Sequence, residues 1–94
     1  DMQFAWDENK NKANIKKHKV SFEEAQSVFF DKNAKIIHDP DHSDIEDRFI
    51  ILGLNKLLNL LVVCHCYKEN DNIVRIISAR KATKKESLKY GEGK

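Results

Sequence analysis

Arg75-Ile76-Ile77-Ser78-Ala79-Arg80-Lys81-Ala82 closes an alternating apolar segment and leads into a basic helix, so it sets cations at the end of a β-strand. A rigid sheet suits arginine, because a guanidinium grips a phosphate through two parallel hydrogen bonds in fixed geometry. The polyanion this suggests is RNA or DNA. Just upstream, residues 60–67 form a long apolar run, and residues 73–80 make its hairpin partner across Glu69-Asn70-Asp71-Asn72. Just downstream, Thr83-Lys84-Lys85-Glu86 has the capping-box pattern that starts a helix.

Further out, residues 48–54 and 34–39 read as two more strands, separated by the turn residues Pro40-Asp41-His42-Ser43-Asp44. Ser21-Phe22-Glu23-Glu24 is a second capping box. It opens a helix whose Phe22, Ala25, Val28 and Phe29 share one apolar stripe. Residues 8–19 form an earlier helix capped by Asp7, with Lys10, Asn14, Lys17 and His18 along one face and only Ala13 and Ile15 apolar. Phe4 and Trp6 alternate with polar neighbours in a short first strand. The order is strand, two helices, a four-strand antiparallel meander and a helix. This predicts an α+β domain with helices against one sheet face and the other face open for binding.

Ninety-four residues allow one modest core, and the domain is expected over residues 2–90, with 91–94 a flexible tail. Asp1 precedes Met2, which reads as an initiator, so Asp1 is left out of the fold. With 34% charged and 40% hydrophobic residues, the chain has neither the polarity of disorder nor the runs of a membrane span. No segment reads as a signal peptide, and a cytoplasmic location is expected. The net charge of +2 hides a division: residues 20–47 hold eight acids against two lysines, whereas residues 75–94 hold seven cations against two acids. That polarity fits one surface for nucleic acid and another for a basic partner.

Cys64-His65-Cys66 invites a metal reading, but alternation along a strand puts both sulfurs on one face and the imidazole on the other. His18, His38 and His42 offer no paired spacing with them. Two buried thiols in a reducing cytosol, with no metal and no cofactor, is the reading preferred. On the same strand Leu60, Val62, Cys64 and Cys66 make a uniformly apolar face assigned to the core, which turns Leu61, Val63, His65 and Tyr67 to the open side. An even number of loop residues pairs Tyr67 with Val74 and brings Arg80 to their face. An odd number brings Arg75, and a bulge shifts the register by one.

RNA cleavage by its own 2′-hydroxyl needs a base, cations for the phosphorane charge and an acid for the leaving oxygen, but no metal. His65 is the best proton-transfer candidate, with Tyr67 beside it and Glu46 a possible base. Arg75 or Arg80 would stabilise phosphate charge. Lys10, Lys17, His18, Arg48 and Lys81 are candidate substrate contacts. The rival class is a non-catalytic nucleic-acid-binding module, and a third is a metal-binding regulator using the Cys-His-Cys triplet.

Taken in order, Phe4-Ala5-Trp6-Asp7, Asn14-Ile15-Lys16-Lys17-His18, Val20-Ser21-Phe22-Glu23-Glu24-Ala25, Asp41-His42-Ser43 with Glu46 and Arg48, and Ile76-Ile77-Ser78-Ala79-Arg80 resemble the BrnT family of bacterial ribonuclease toxins. The resemblance implies a RelE-like fold, RNA cleavage that arrests translation and growth, and neutralisation by a BrnA-like antitoxin with a ribbon-helix-helix domain. It also implies a toxin–antitoxin hetero-oligomer that meets operator DNA through the antitoxin. Two departures stand out. Lys19 sits where the family usually has the glycine that ends the first helix, and Leu57-Leu58 replaces a polar or glycine-containing turn, predicting an apolar patch at that tip.

Overall fold

The computed structural model describes residues 2–38 and 47–91. In chain order the elements are β1 (Gln3–Ala5), α1 (Glu8–His18), α2 (Phe22–Ala25) continued by a 3-10 segment (Gln26–Phe30), β2 (Lys35–His38), β3 (Phe49–Leu54), β4 (Leu60–Lys68), β5 (Ile73–Lys81) and α3 (Lys84–Tyr90). The expected element order is the observed one, and the fold is α+β. The turn at Pro40-Asp41-His42-Ser43-Asp44, Glu46 and tail residues 92–94 lie outside the described residues.

The five strands lie in the order β1-β5-β4-β3-β2, with β2 to β5 an antiparallel meander and β1 parallel to β5. Since β1 is at one edge and β2 at the other, the chain between them crosses a sheet face, and this crossing carries α1, α2 and the 3-10 segment. Their apolar residues Val20, Phe22, Ala25 and Val28 meet Ile51, Leu61, Val63, Ile76 and Ala79 of the sheet. Phe22 is fully buried and contributes about 2 to 3 kcal/mol by leaving water. On the opposite face α3 covers a smaller cluster of Leu52, Val62 and Tyr90.

This reverses the expected assignment of faces. Leu61 and Val63 lie under α1 and α2 and His65 packs on Phe29 of the 3-10 segment, while Leu60 and Val62 lie on the α3 side. The physical reason is that β4 is apolar on both faces because both are covered, so alternation alone does not say which cover is which. Cys66 is buried and Cys64 half-buried, and neither is in a disulfide, so the expectation of two buried thiols holds fully only for Cys66.

The caps follow the sequence closely. Asp7 accepts hydrogen bonds from the backbone N–H groups of Asn9 (2.8 Å) and Lys10 (3.3 Å). Ser21 and Glu24 form one reciprocal capping box, Thr83 and Glu86 the other. Lys19 ends α1 in the left-handed conformation, at φ 62°, with its N–H donating to Ile15 O. It thus adopts the geometry glycine would provide, at a cost of about 1 kcal/mol for its Cβ.

Polar groups, more than apolar burial, hold α1 down. Ile15 is exposed, whereas Asn11 and Asn14 are buried. Asn14 Nδ2 donates to Val20 O (2.8 Å) and Ala79 O (2.7 Å), and its Oδ1 accepts from Ala79 N (3.1 Å). Asn11 Oδ1 accepts from Phe22 N at 2.8 Å. Asn14 therefore faces the sheet, not a shared basic surface with Lys10 and Lys17, which are exposed.

Candidate functional site

His65 has no exposed surface. Phe29 stands edge-on to its ring at 4.7 Å, and Phe49 packs at 6.1 Å. Its Nδ1 lies 3.2 Å from Val63 O, and its Nε2 lies 3.2 Å from the Tyr67 hydroxyl. A carbonyl can only accept, so Nδ1 carries the hydrogen, and in the neutral ring Nε2 is the acceptor for the Tyr67 O–H. Neutrality follows from burial, which lowers the His65 pKa and outweighs the opposing effect of the Val63 carbonyl. Burial, helped by the Asp71 carboxylate, raises the Tyr67 pKa and keeps the phenol protonated. The pair is thus a phenol at the protein surface backed by a dry imidazole able to receive its proton.

Six residues separate Tyr67 from its partner Val74, the even register. A bulge then intervenes: His65 pairs with Ile76 and Cys64 with Ser78, leaving Ile77 without an opposite residue. Beyond it Arg80 pairs with Val62, and before it Arg75 pairs with Cys66. Paired residues share a face, so both arginines lie on the side opposite His65 and Tyr67. The expectation that one of them joins the imidazole on a common open face is corrected by this register. The same bulge brings Arg75 and Arg80, five positions apart, to one face, where an unbroken strand would place them on opposite faces.

Two clefts flank the β4–β5 hairpin. A cleft of about 630 Å³ is lined by Asp47, Phe49, Cys66, Tyr67, Lys68 and Asp71. A second, of about 440 Å³, is lined by Trp6, Asp7, Lys68, Glu69 and Arg75 among others. Lys68 borders both, so the β4–β5 hairpin separates a phenol on one flank from a guanidinium on the other. Arg48 adjoins Asp47 and Phe49 of the first cleft, and Lys10 is in the first turn of α1 beside Asp7 of the second. Four of the described wall residues, Asp7, Asp47, Glu69 and Asp71, are acids, so attraction of phosphate there falls to Lys68 and Arg75 with their neighbours.

The remaining candidates are elsewhere. Arg80 is bound by Glu86, NH1 to Oε1 at 2.8 Å and NH2 to Oε2 at 2.9 Å. Hydrogen bonding to Arg80 holds the Glu86 pKa down at about 2. Lys17 and His18 follow Asn14 in the last turn of α1, and Lys81 follows Arg80 at the end of β5. Glu46 lies outside the described residues. Among the described residues no three His, Cys, Asp or Glu side chains gather to hold a metal ion. Among the described residues no helix is long and apolar enough to cross a membrane. Sequence reasoning missed Lys68, Glu86 and Asn14: a lysine beside a turn, an acid already accounted for by a cap, and an amide on a helix rich in lysine gave no signal of their own.

Residues 6–86 match the family model described as the ribonuclease toxin BrnT of type II toxin–antitoxin systems. Among solved structures, the 1.1 Å crystal structure of the Brucella abortus ribonuclease toxin BrnT is similar, with a TM-score of 0.68 and 26% sequence identity. The alignment covers 89% of this chain and 100% of that one. No curated protein matches. The match extends over strands, helices and both capping boxes, and it agrees with the RelE-like expectation for the fold. The chain belongs to the BrnT family, the ribonuclease toxins of type II toxin–antitoxin systems, within the RelE-like superfamily.

Proposed function

We propose that the protein cleaves RNA without a metal ion, at the β4–β5 hairpin end of the sheet, and that an antitoxin with a ribbon-helix-helix domain neutralises it in the cytoplasm. Family membership supports a nuclease and a cognate antitoxin in general. The observation that carries the finer reading is the 3.2 Å contact between His65 Nε2 and the Tyr67 hydroxyl, set at a cleft that shares Lys68 with Arg75. In this reading the Tyr67 oxygen takes the proton of the attacking 2′-hydroxyl while its own proton passes to His65 Nε2. The 2′-oxygen bonds to phosphorus, and the bond to the 5′-oxygen breaks, leaving a 2′,3′-cyclic phosphate. The proton returns through Tyr67 to the departing 5′-oxygen. Arg75 and Lys68 offset the charge that develops on the phosphate oxygens. Arg48 and Lys10 extend the cationic rim toward the rest of the strand.

The test is incubation of purified protein with RNA in excess chelator. Cleavage that survives chelation and is lost in His65→Gln and in Arg75→Ala supports the proposal; intact RNA at excess protein removes it. The acidic wall of the first cleft, with Asp47 and Asp71, favours one second reading, a module that binds its antitoxin but does not turn over RNA. That reading requires antitoxin binding together with intact RNA in the same assay.

A further inference from the structure

We infer that the sheet face opposite α1 and α2 carries a second backbone-phosphate subsite centred on Arg80, which Glu86 occupies in the free protein and an RNA strand leaving the Tyr67–Arg75 region displaces. The inference rests on reading that region as the ribonuclease site. The bulge at Ile77 is its structural origin, since it turns Arg80 to the same face as Arg75. Four ladder steps along β4, from Cys66 to Val62, separate their positions, which is about 13 Å at the usual strand rise. Between them on this face are Ser78 and Cys64, small and half-buried, with the bulged Ile77 beside them.

Glu86 already shows how Arg80 takes an anion. Its two oxygens accept from two different guanidinium nitrogens at 2.8 and 2.9 Å, the fork-to-fork geometry a phosphate would also use. The contact is accessible to a competitor: the side chains retain 40% and 29% of their exposure, which leaves the pair open to water and salt. Glu86 also has a second role to return to, because its Oε1 accepts from Thr83 N at 2.8 Å in the capping box. Release of Arg80 therefore does not require α3 to leave the sheet. Tyr90, bonded to Asp31 at 2.6 Å, and the Lys35 ammonium, donating to Lys89 O at 2.7 Å, hold the other end of that helix.

The experiment measures binding of a fully 2′-O-methylated single-stranded RNA, which lacks the attacking hydroxyl, as a function of salt. Glu86→Gln keeps an oxygen for the Thr83 N–H but removes the competing charge. It should bind several-fold more tightly, because no carboxylate has to be displaced from Arg80. The gain should vanish in the Arg80→Ala, Glu86→Gln double variant. Arg80→Ala alone should lower the slope of log affinity against log salt by about 0.7, the share of one phosphate contact, which serves as the test should Glu86→Gln not fold. Unchanged affinity in Glu86→Gln, a gain that persists without Arg80, or an unchanged slope in Arg80→Ala overturns the subsite. Arg75→Ala separates the two claims: lost affinity there with no effect at Arg80 or Glu86 overturns the subsite alone, whereas unchanged affinity in Arg75→Ala overturns the reading of the cleft.

Discussion

Asn14→Ala is the substitution with the largest expected effect for the smallest change in volume. The carboxamide makes three buried hydrogen bonds, to Val20 O, Ala79 O and Ala79 N, and thereby joins α1 to both the following turn and β5. Alanine leaves two carbonyls and one N–H without their partner in a site where Asn14 is only 6% exposed. At about 1 kcal/mol net for each lost bond, the loss is about 3 kcal/mol. For a domain of this size that corresponds to a fall in Tm of about 12 to 24 °C. Urea denaturation followed by far-ultraviolet circular dichroism checks the value, provided the slope with denaturant stays constant between the two proteins. A loss below about 1 kcal/mol would refute the reasoning, because it would mean that α1 is anchored by something other than this amide. The alternative anchor is Asn11, also buried, whose Oδ1 accepts from Phe22 N at 2.8 Å, for Ile15 is exposed.

Other outcomes follow from the same physical arguments. Lys19→Gly should raise stability by about 1 kcal/mol, since Lys19 holds φ 62° at the end of α1, and chemical denaturation would show it. Gly53→Ala should lower stability by about 1 to 3 kcal/mol, because its Cβ would meet Ala34 Cβ at 2.9 Å and Val28 Cγ1 at 3.0 Å; the urea midpoint reports this. Below the unfolded histidine pKa of about 6.5, the unfolded chain binds a proton that buried His65 resists, so stability should fall as pH drops through that value; His65→Gln should flatten the dependence in paired titrations. Burial and the Asp31 contact push the Tyr90 pKa up to about 12, so its stabilisation is complete below pH 10 and is lost as pH rises toward 12, with its phenolate transition in the ultraviolet spectrum delayed to match.

The element order was legible because its signals are local. Ser21 with Glu24 and Thr83 with Glu86 mark helix starts through backbone donors that need partners wherever the helix later packs. The hairpin register at Tyr67 and Val74 was one of the two read from the loop, and Glu69, Asn70 and Asp71 achieve it with three consecutive positive φ values. The expected apolar tip is also present, with Leu57 72% and Leu58 76% exposed. What sequence could not resolve was which side of β4 meets which helix. Leu60 to Cys66 is apolar at every position but His65, and His65 itself is buried through two hydrogen bonds that satisfy its ring. The bulge was equally silent, for Ile76-Ile77-Ser78-Ala79 has no glycine or proline to mark an extra residue. Those two non-local facts separated Arg75 and Arg80 from the imidazole and dissolved the single anion pocket expected on an open face. Asn14 was misplaced for a related reason: an amide among lysines looks like surface until the backbone groups it must satisfy are known.

The most direct test of the central claim is the single-turnover rate of RNA cleavage by Tyr67→Phe in chelator, compared with the unsubstituted protein. Phenylalanine keeps the ring packed against Phe49 and removes only the hydroxyl that bridges the cleft to His65. Loss of a positioned proton-transfer group predicts a fall of about 100-fold or more with the fold intact. A rate within about threefold of the unsubstituted protein would contradict the account, because proton transfer would then not pass through Tyr67.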